Sequence, residues 1–167
     1  MRVTTLFLGF ALLGGALPAA MAQTPSAAAI TEPDRAYLSE AAQGSAYELA
    51  IASAAQKSDR ADVRAYAERL VRDHSTYNEA LKTLAKAKGV TLPDGMKASD
   101  QAKVAAMAQG NMGNSAFIEE AVRINAEDKM SSAEEADRTK DADIKAFLKK
   151  FEAVDADHER MAKALNK

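Results

Sequence analysis

Apolar positions recur at helical spacing along four long stretches of the chain, with polar residues filling the faces between them. The clearest stretch carries Val63, Tyr66, Ala67, Leu70, His74, Tyr77, Leu81 and Leu84 on one face and predicts a helix from about Asp59 to Lys88, started by Ser58-Asp59 and stopped by Gly89. Before it, Ala41, Ser45, Glu48, Ala52 and Ala55 alternate steps of four and three, flanked by Leu38, Ala42 and Leu49. They predict a helix from near Asp34 to Gln56, capped by Thr31 or Asp34, whose small-residue stripe lets a neighbour approach closely. A third helix is expected from Asn114 or Ser115 to Lys140. Phe117, Ile118, Ala121, Val122, Ile124 and Ala126 pattern its first half, while Met130 and Ala133 alone anchor the second. The fourth, Asp141 to Leu165, sets Ile144, Phe147, Leu148, Phe151, Val154, His158, Met161 and Leu165 on one face. Between the two pairs, Pro93-Asp94-Gly95 signals a turn, Ser99 to Gln109 a short helix and Gly110 to Asn114 a break. That connection is long enough for a lengthwise crossover, and an up-down-up-down order remains the alternative.

The pattern repeats. Ala61-Asp62-Val63-Arg64-Ala65-Tyr66 returns as Ala142-Asp143-Ile144-Lys145-Ala146-Phe147, and Asp73-His74 returns as Asp157-His158, which accounts for both histidines of the chain. The second interval is three residues longer than the first. Three residues are most of a helical turn, so the two imidazoles stay within about 60° of the same face. An all-α four-helix bundle built from two similar hairpins, with a short extra helix in the connection, is the simplest architecture.

Composition adds an address. Arg2, the apolar run Leu6 to Leu13 and Ala20-Met21-Ala22 have the three parts of a secretory signal, with cleavage expected after Ala22. The run is shorter than the roughly 20 apolar residues of a membrane span, and no other stretch approaches that. Residues 23–33, with Pro25 and Pro33, read as a flexible leader to a single domain over 34–167, destined for the periplasm or the medium. Removing Arg2 with the signal leaves 21 basic against 24 acidic residues, a net charge of −3 that gives no electrostatic case for nucleic acid. With no cysteine, the chain has no disulfide, thiolate metal site, c-type haem attachment or lipid anchor on cysteine.

The candidate chemistry is metal binding. A dinuclear carboxylate site takes a Glu from each of two helices and Glu-x-x-His from each of the other two, because residues three apart point the same way. Here Asp155-x-x-His158 has the spacing with the shorter acid, Val71 stands where His74 would need its acid, Glu48 serves on the first helix and Glu127 on the third. The candidate ligands are therefore His74, His158, Glu48, Asp155 and Glu127, and their oxygen and imidazole donors suit iron, manganese or zinc. The competing reading is that both histidines are hydrogen-bonded core residues of a metal-free envelope or stress-associated protein whose outer faces bind a partner. Asp73 and Asp157, adjacent to the histidines and so turned away from them, are expected to cap, pair with arginine or face water. Tyr66 and Tyr77 read as core, and the charged run Glu134 to Asp143 as a solvated face. No G-x-S-x-G and no glycine-rich phosphate loop occurs, so no complete catalytic constellation is present and an enzyme is not the expected reading.

Three segments carry a family resemblance: Ala41-Ala42-Gln43-Gly44 onward, Ala61 to His74, and Ala85-Lys86-Ala87-Lys88-Gly89-Val90-Thr91-Leu92-Pro93. Over about residues 36–165 the chain resembles a bacterial exported family of unknown function, whose members are labelled outer-membrane or periplasmic proteins and grouped with ferritin-like bundles. The resemblance implies a ferritin-like fold and export, and no activity. It also implies a second Asp-His in the third helix, near Asn125-Ala126-Glu127-Asp128, where this sequence offers Glu127 or Asp128 and no histidine.

Overall fold

Five helices and no strand make up residues 30–109 and 113–166, which are the residues described in the computed structural model. They are α1 (Glu32–Ala55), α2 (Ala61–Ala87), α3 (Ala98–Ala108), α4 (Asn114–Arg138) and α5 (Ala142–Leu165). The predicted signal segment 1–22 and most of the leader lie outside the described residues.

Local chemistry sets the ends. Thr31 and Asp34 close a reciprocal capping box, the Thr31 hydroxyl accepting from Asp34 N and the Asp34 carboxylate from Thr31 N at 3.0 Å. Gly89 ends α2 at φ 65°, where the Val90 amide bonds back to the Ala85 carbonyl and the Gly89 amide to that of Lys86, a full Schellman stop. Asp141 caps α5 by accepting from the amides of Asp143 and Ile144. The start of α2 differs from expectation: Arg60 is its N-cap, with no side-chain cap bond. Ser58 and Asp59 are used elsewhere. The Ser58 hydroxyl donates to Asn114 Oδ1 at 2.5 Å and Asn114 Nδ2 donates to Asp59 at 2.7 Å, tying the first hairpin to the start of α4.

Contacts between helices fix the topology. Tyr37, early in α1, meets Ser132, late in α4, while Tyr47 donates to Glu120, early in α4, so α1 and α4 are antiparallel. Tyr66 reaches the His158 carbonyl and Lys88 pairs with Asp141, so α2 and α5 are antiparallel as well. Since α1 also packs on α2 and α4 on α5 through short turns, α2 and α4 run the same way. The connection carrying α3 therefore returns along the length of the molecule, with α3 packed on α1, which is the lengthwise crossover.

The core is split in two. One apolar cluster gathers Tyr47, Ile51, Val63, Tyr66, Leu70, Phe117 and Ile118; the other gathers Tyr37, Leu38, Leu81, Ile144, Phe147, Leu148 and Phe151. Between them, at mid-length, Ser45, Glu48, His74, Asn125 and His158 are buried in a polar layer. The run Glu134 to Asp143 is not the uniformly solvated face that its charge suggests, because Glu135, Thr139 and Asp141 are buried. Glu135 pairs with Arg138, which also reaches Asp34, and Asp141 with Lys88.

Candidate functional site

The polar layer borders a cavity of about 400 Å³. All four long helices send acidic or imidazole side chains to it: Glu40 and Glu48 from α1, His74 from α2, Glu127 and Asp128 from α4 and Asp155 from α5. Tyr37, Tyr77, Ser131 and Ser132 add hydroxyls, and Lys97, Ser99, Asp100 and Lys103 at the start of α3 form part of the rim. Glu48 lies in the small-residue stripe of α1, the helix that packs on α2.

His74 has a neighbour at each ring nitrogen but a hydrogen bond at only one. Nδ1 lies 3.0 Å from the Ser45 hydroxyl, a normal hydrogen bond. Nε2 lies 3.1 Å from Glu48 Oε2 but off the hydrogen-bonding direction, so this buried atom has no hydrogen-bond partner. A proton on Nδ1 donates to Ser45 and leaves the Nε2 lone pair free, the tautomer that a metal ligand needs. Burial lowers the His74 pKa, against the opposing charges of Asp128, Asp155 and Asp73, and so favours that neutral ring.

The carboxyls shift the other way. Burial pushes Glu48 up to about 8, with the Asp155 charge adding to it and a hydrogen bond from Asp128 opposing it. Asp128 is raised well above the carboxylate range by burial and by the neighbouring Glu48. Asp155 rises to about 6, again through burial first and then the Asp128 charge. Burial and mutual proximity disfavour joint ionisation of the three acids, a cost that a bound cation would relieve. In their present rotamers no three acidic or imidazole groups among the described residues converge as a ligand set, so side-chain rotation has to close the site.

The second histidine stands differently. His158 is 2% exposed, stacks on His74 with centroids 5.4 Å apart at 29°, and places Nε2 2.9 Å from Asp73. Burial lowers its pKa while the Asp73 hydrogen bond raises it. Asp73, which burial alone would raise, is held below the carboxylate range by hydrogen bonds from Arg69 and His158. Its repeat partner Asp157 bonds Arg160 at the surface.

Of the sequence candidates, the fold thus gathers Glu48, His74 and Asp155 at one cavity. His158 stays behind His74, bonded to Asp73, and Glu127 sits exposed at the rim in an ion pair with Arg123 at 2.5 Å. Asp128 takes the inward place expected of Glu127, one residue and about 100° further round the helix. The resemblance had marked that place, whereas the thin apolar pattern of this half of α4 left its rotation open. The expectation for Asp73 and Asp157 holds for the arginine pairing of both, and misses the contact of Asp73 with the histidine of the other half. Tyr66 is buried as expected, donating to the His158 carbonyl and accepting from Asn125. Tyr77 is only half-buried, packing on Phe147 and Phe151 while lining the cavity.

None of the described helices is long and apolar enough to cross a membrane. A family model described as a domain of unknown function, DUF4142, matches residues 19–165. No curated protein and no solved structure matches the chain. The match spans nearly the whole sequence, and the chain belongs to the DUF4142 family.

Proposed function

We propose that this member of the DUF4142 family is an exported ferritin-like four-helix bundle that holds a divalent metal cation in its mid-core cavity, with Glu48, His74, Asp128 and Asp155 as donors. The observation that carries the reading is the buried Nε2 of His74, 3.1 Å from Glu48 but without a hydrogen bond, at a cavity lined by three carboxyls whose pKa values are raised, one from each of the other long helices. A buried polar atom without a partner costs about 1–3 kcal/mol. A bound cation removes that cost. Three carboxylates and an imidazole, with no thiolate, are a donor set for iron, manganese or zinc. The Ser45 bond at Nδ1 orients the ring with Nε2 toward Glu48.

Export rests on the signal pattern of residues 1–22. Metal analysis of protein isolated from the periplasm of its own cells tests both parts. The reading expects a stoichiometric divalent metal in the native chain and none in His74→Ala. Native protein in the periplasm without metal leaves the bundle and removes the cation.

A second reading is a metal-free envelope or stress-associated protein, favoured by the unconverged rotamers of the cavity acids. It expects His74→Ala to leave unchanged every response to divalent ions.

A further inference from the structure

We infer that the centre takes one ion rather than two, because the halves of the molecule have divided the duplicated Asp-His motif: His74 is the ligand, and His158, locked to Asp73, is a positioning residue that fixes the His74 ring. The inference rests on the cation reading above and adds the number of ions and a role for the second histidine.

The dinuclear carboxylate pattern of ferritin-like bundles takes a Glu-x-x-His from each of two helices, so a full set presents two imidazoles to the cavity. Only His74 borders the cavity; His158 does not. Among the described residues the His158 ring has one polar contact, at 2.9 Å from Nε2 to Asp73 Oδ2, and that carboxylate is further occupied by Arg69. Recruiting His158 to a second ion would break this contact inside a region where the ring is 2% exposed, leaving Asp73 with Arg69 alone. Glu127, the carboxylate that a second ion would draw from α4, is paired with Arg123 at the rim.

The asymmetry between the halves points the same way. Asp73 and Asp157 occupy matching sequence positions, yet Asp73 crosses to the histidine of the other half, while Asp157 stays on its own helix with Arg160. His74 accordingly lacks a carboxylate partner at Nδ1 and takes the Ser45 hydroxyl, an uncharged anchor that leaves the opposite nitrogen free. Its ring is gripped on one face by His158 at 5.4 Å and flanked by Tyr77 at 6.1 Å. Ser45 anchors the ring at Nδ1, and the stack resists rotation about the bond that carries the ring. Partners of this kind behind a metal ligand are worth about 10- to 100-fold in affinity.

The test is a Mn²⁺ titration of the metal-free full chain, read by the loss of the free-ion electron paramagnetic resonance signal and by the spectrum of the bound ion. The inference expects one ion per chain and no spin-coupled pair. His158→Phe keeps a stacked ring without the Asp73 bond, and His158→Gln keeps a donor without the ring. Both are expected to bind one ion about 10-fold or more weakly, with an altered bound-ion spectrum, which a loss of stability alone would not produce. Two ions per chain overturn the inference and leave the cation reading standing, whereas zero ions remove the cation reading itself. One ion with unchanged affinity and spectrum in both folded variants overturns the role of His158. Should both variants fail to fold, the native stoichiometry and spectrum still decide between one ion and two.

Discussion

Glu48→Gln is expected to stabilise the metal-free protein, and by more as the pH rises. Glu48 is 3% exposed, and burial lifts its pKa from 4.5 to about 8. Between those values the native state keeps a proton that the unfolded chain has released. The native state then binds more protons than the unfolded one, so stability falls as pH rises, at roughly 1.4 kcal/mol per unit for one group. From pH 5 to pH 7 the wild-type chain therefore loses about 3 kcal/mol through this carboxyl alone. Glutamine has nearly the same shape, accepts the Asp128 hydrogen bond and does not titrate. Urea denaturation of both chains in chelator, at pH 5 and pH 7, gives the difference directly. The advantage of the variant is expected to grow by about 3 kcal/mol over that interval. A difference independent of pH, or a variant that loses ground as pH rises, would show that Glu48 ionises normally in the folded chain and refute the reasoning about the polar layer.

Asp73→Asn removes the anion that holds both Arg69 and His158, and is expected to cost about 1–3 kcal/mol at pH 7. The Asp73 pKa is lowered on folding, so this contribution is present above 3.8 and fades as pH falls through the lower folded value; denaturation at pH 7 and pH 3 should show the gap shrinking. Leu81→Ala empties a 1% exposed position in the cluster next to Phe147 and Phe151, and calorimetry should find about 2–5 kcal/mol lost with no change in Mn²⁺ stoichiometry. Gly89→Ala places a Cβ at φ 65°, where nothing crowds it, so only the backbone cost of about 1–2 kcal/mol is expected in chemical denaturation.

Much of this fold was legible in the sequence because its helices announce themselves by period and by caps. The Thr31–Asp34 box, Gly89 and Asp141 each end a helix through a local bond that depends on neighbours in the chain. Ser58 and Asp59 misled for another reason: the Ser58 hydroxyl accepts from the Arg60 amide just ahead of the helix, and both side chains also bond Asn114, a tie between hairpins that no local pattern reports. The same division holds for the site. Glu48 and His74 were visible as polar residues on apolar stripes, and Asp155 by its spacing from His158. Asp128 and Glu127 were indistinguishable while Met130 and Ala133 alone set the rotation of α4, and only packing against α1 and α5 decided which faced inward. The Asp73–His158 contact joins residues of different halves, so the repeat that marked both motifs gave no sign that they had diverged.

The most direct test of a cation held in the polar layer is the unfolding midpoint of metal-free full-length protein as Mn²⁺ is added, for the wild type and for His74→Ala. A ligand that binds only the native state stabilises it by about 2.7 kcal/mol at a hundred times its dissociation constant. The wild-type midpoint is expected to climb with the logarithm of the Mn²⁺ concentration, and that of His74→Ala to stay level. A wild-type midpoint that does not move, or an equal rise in the variant, would contradict the account.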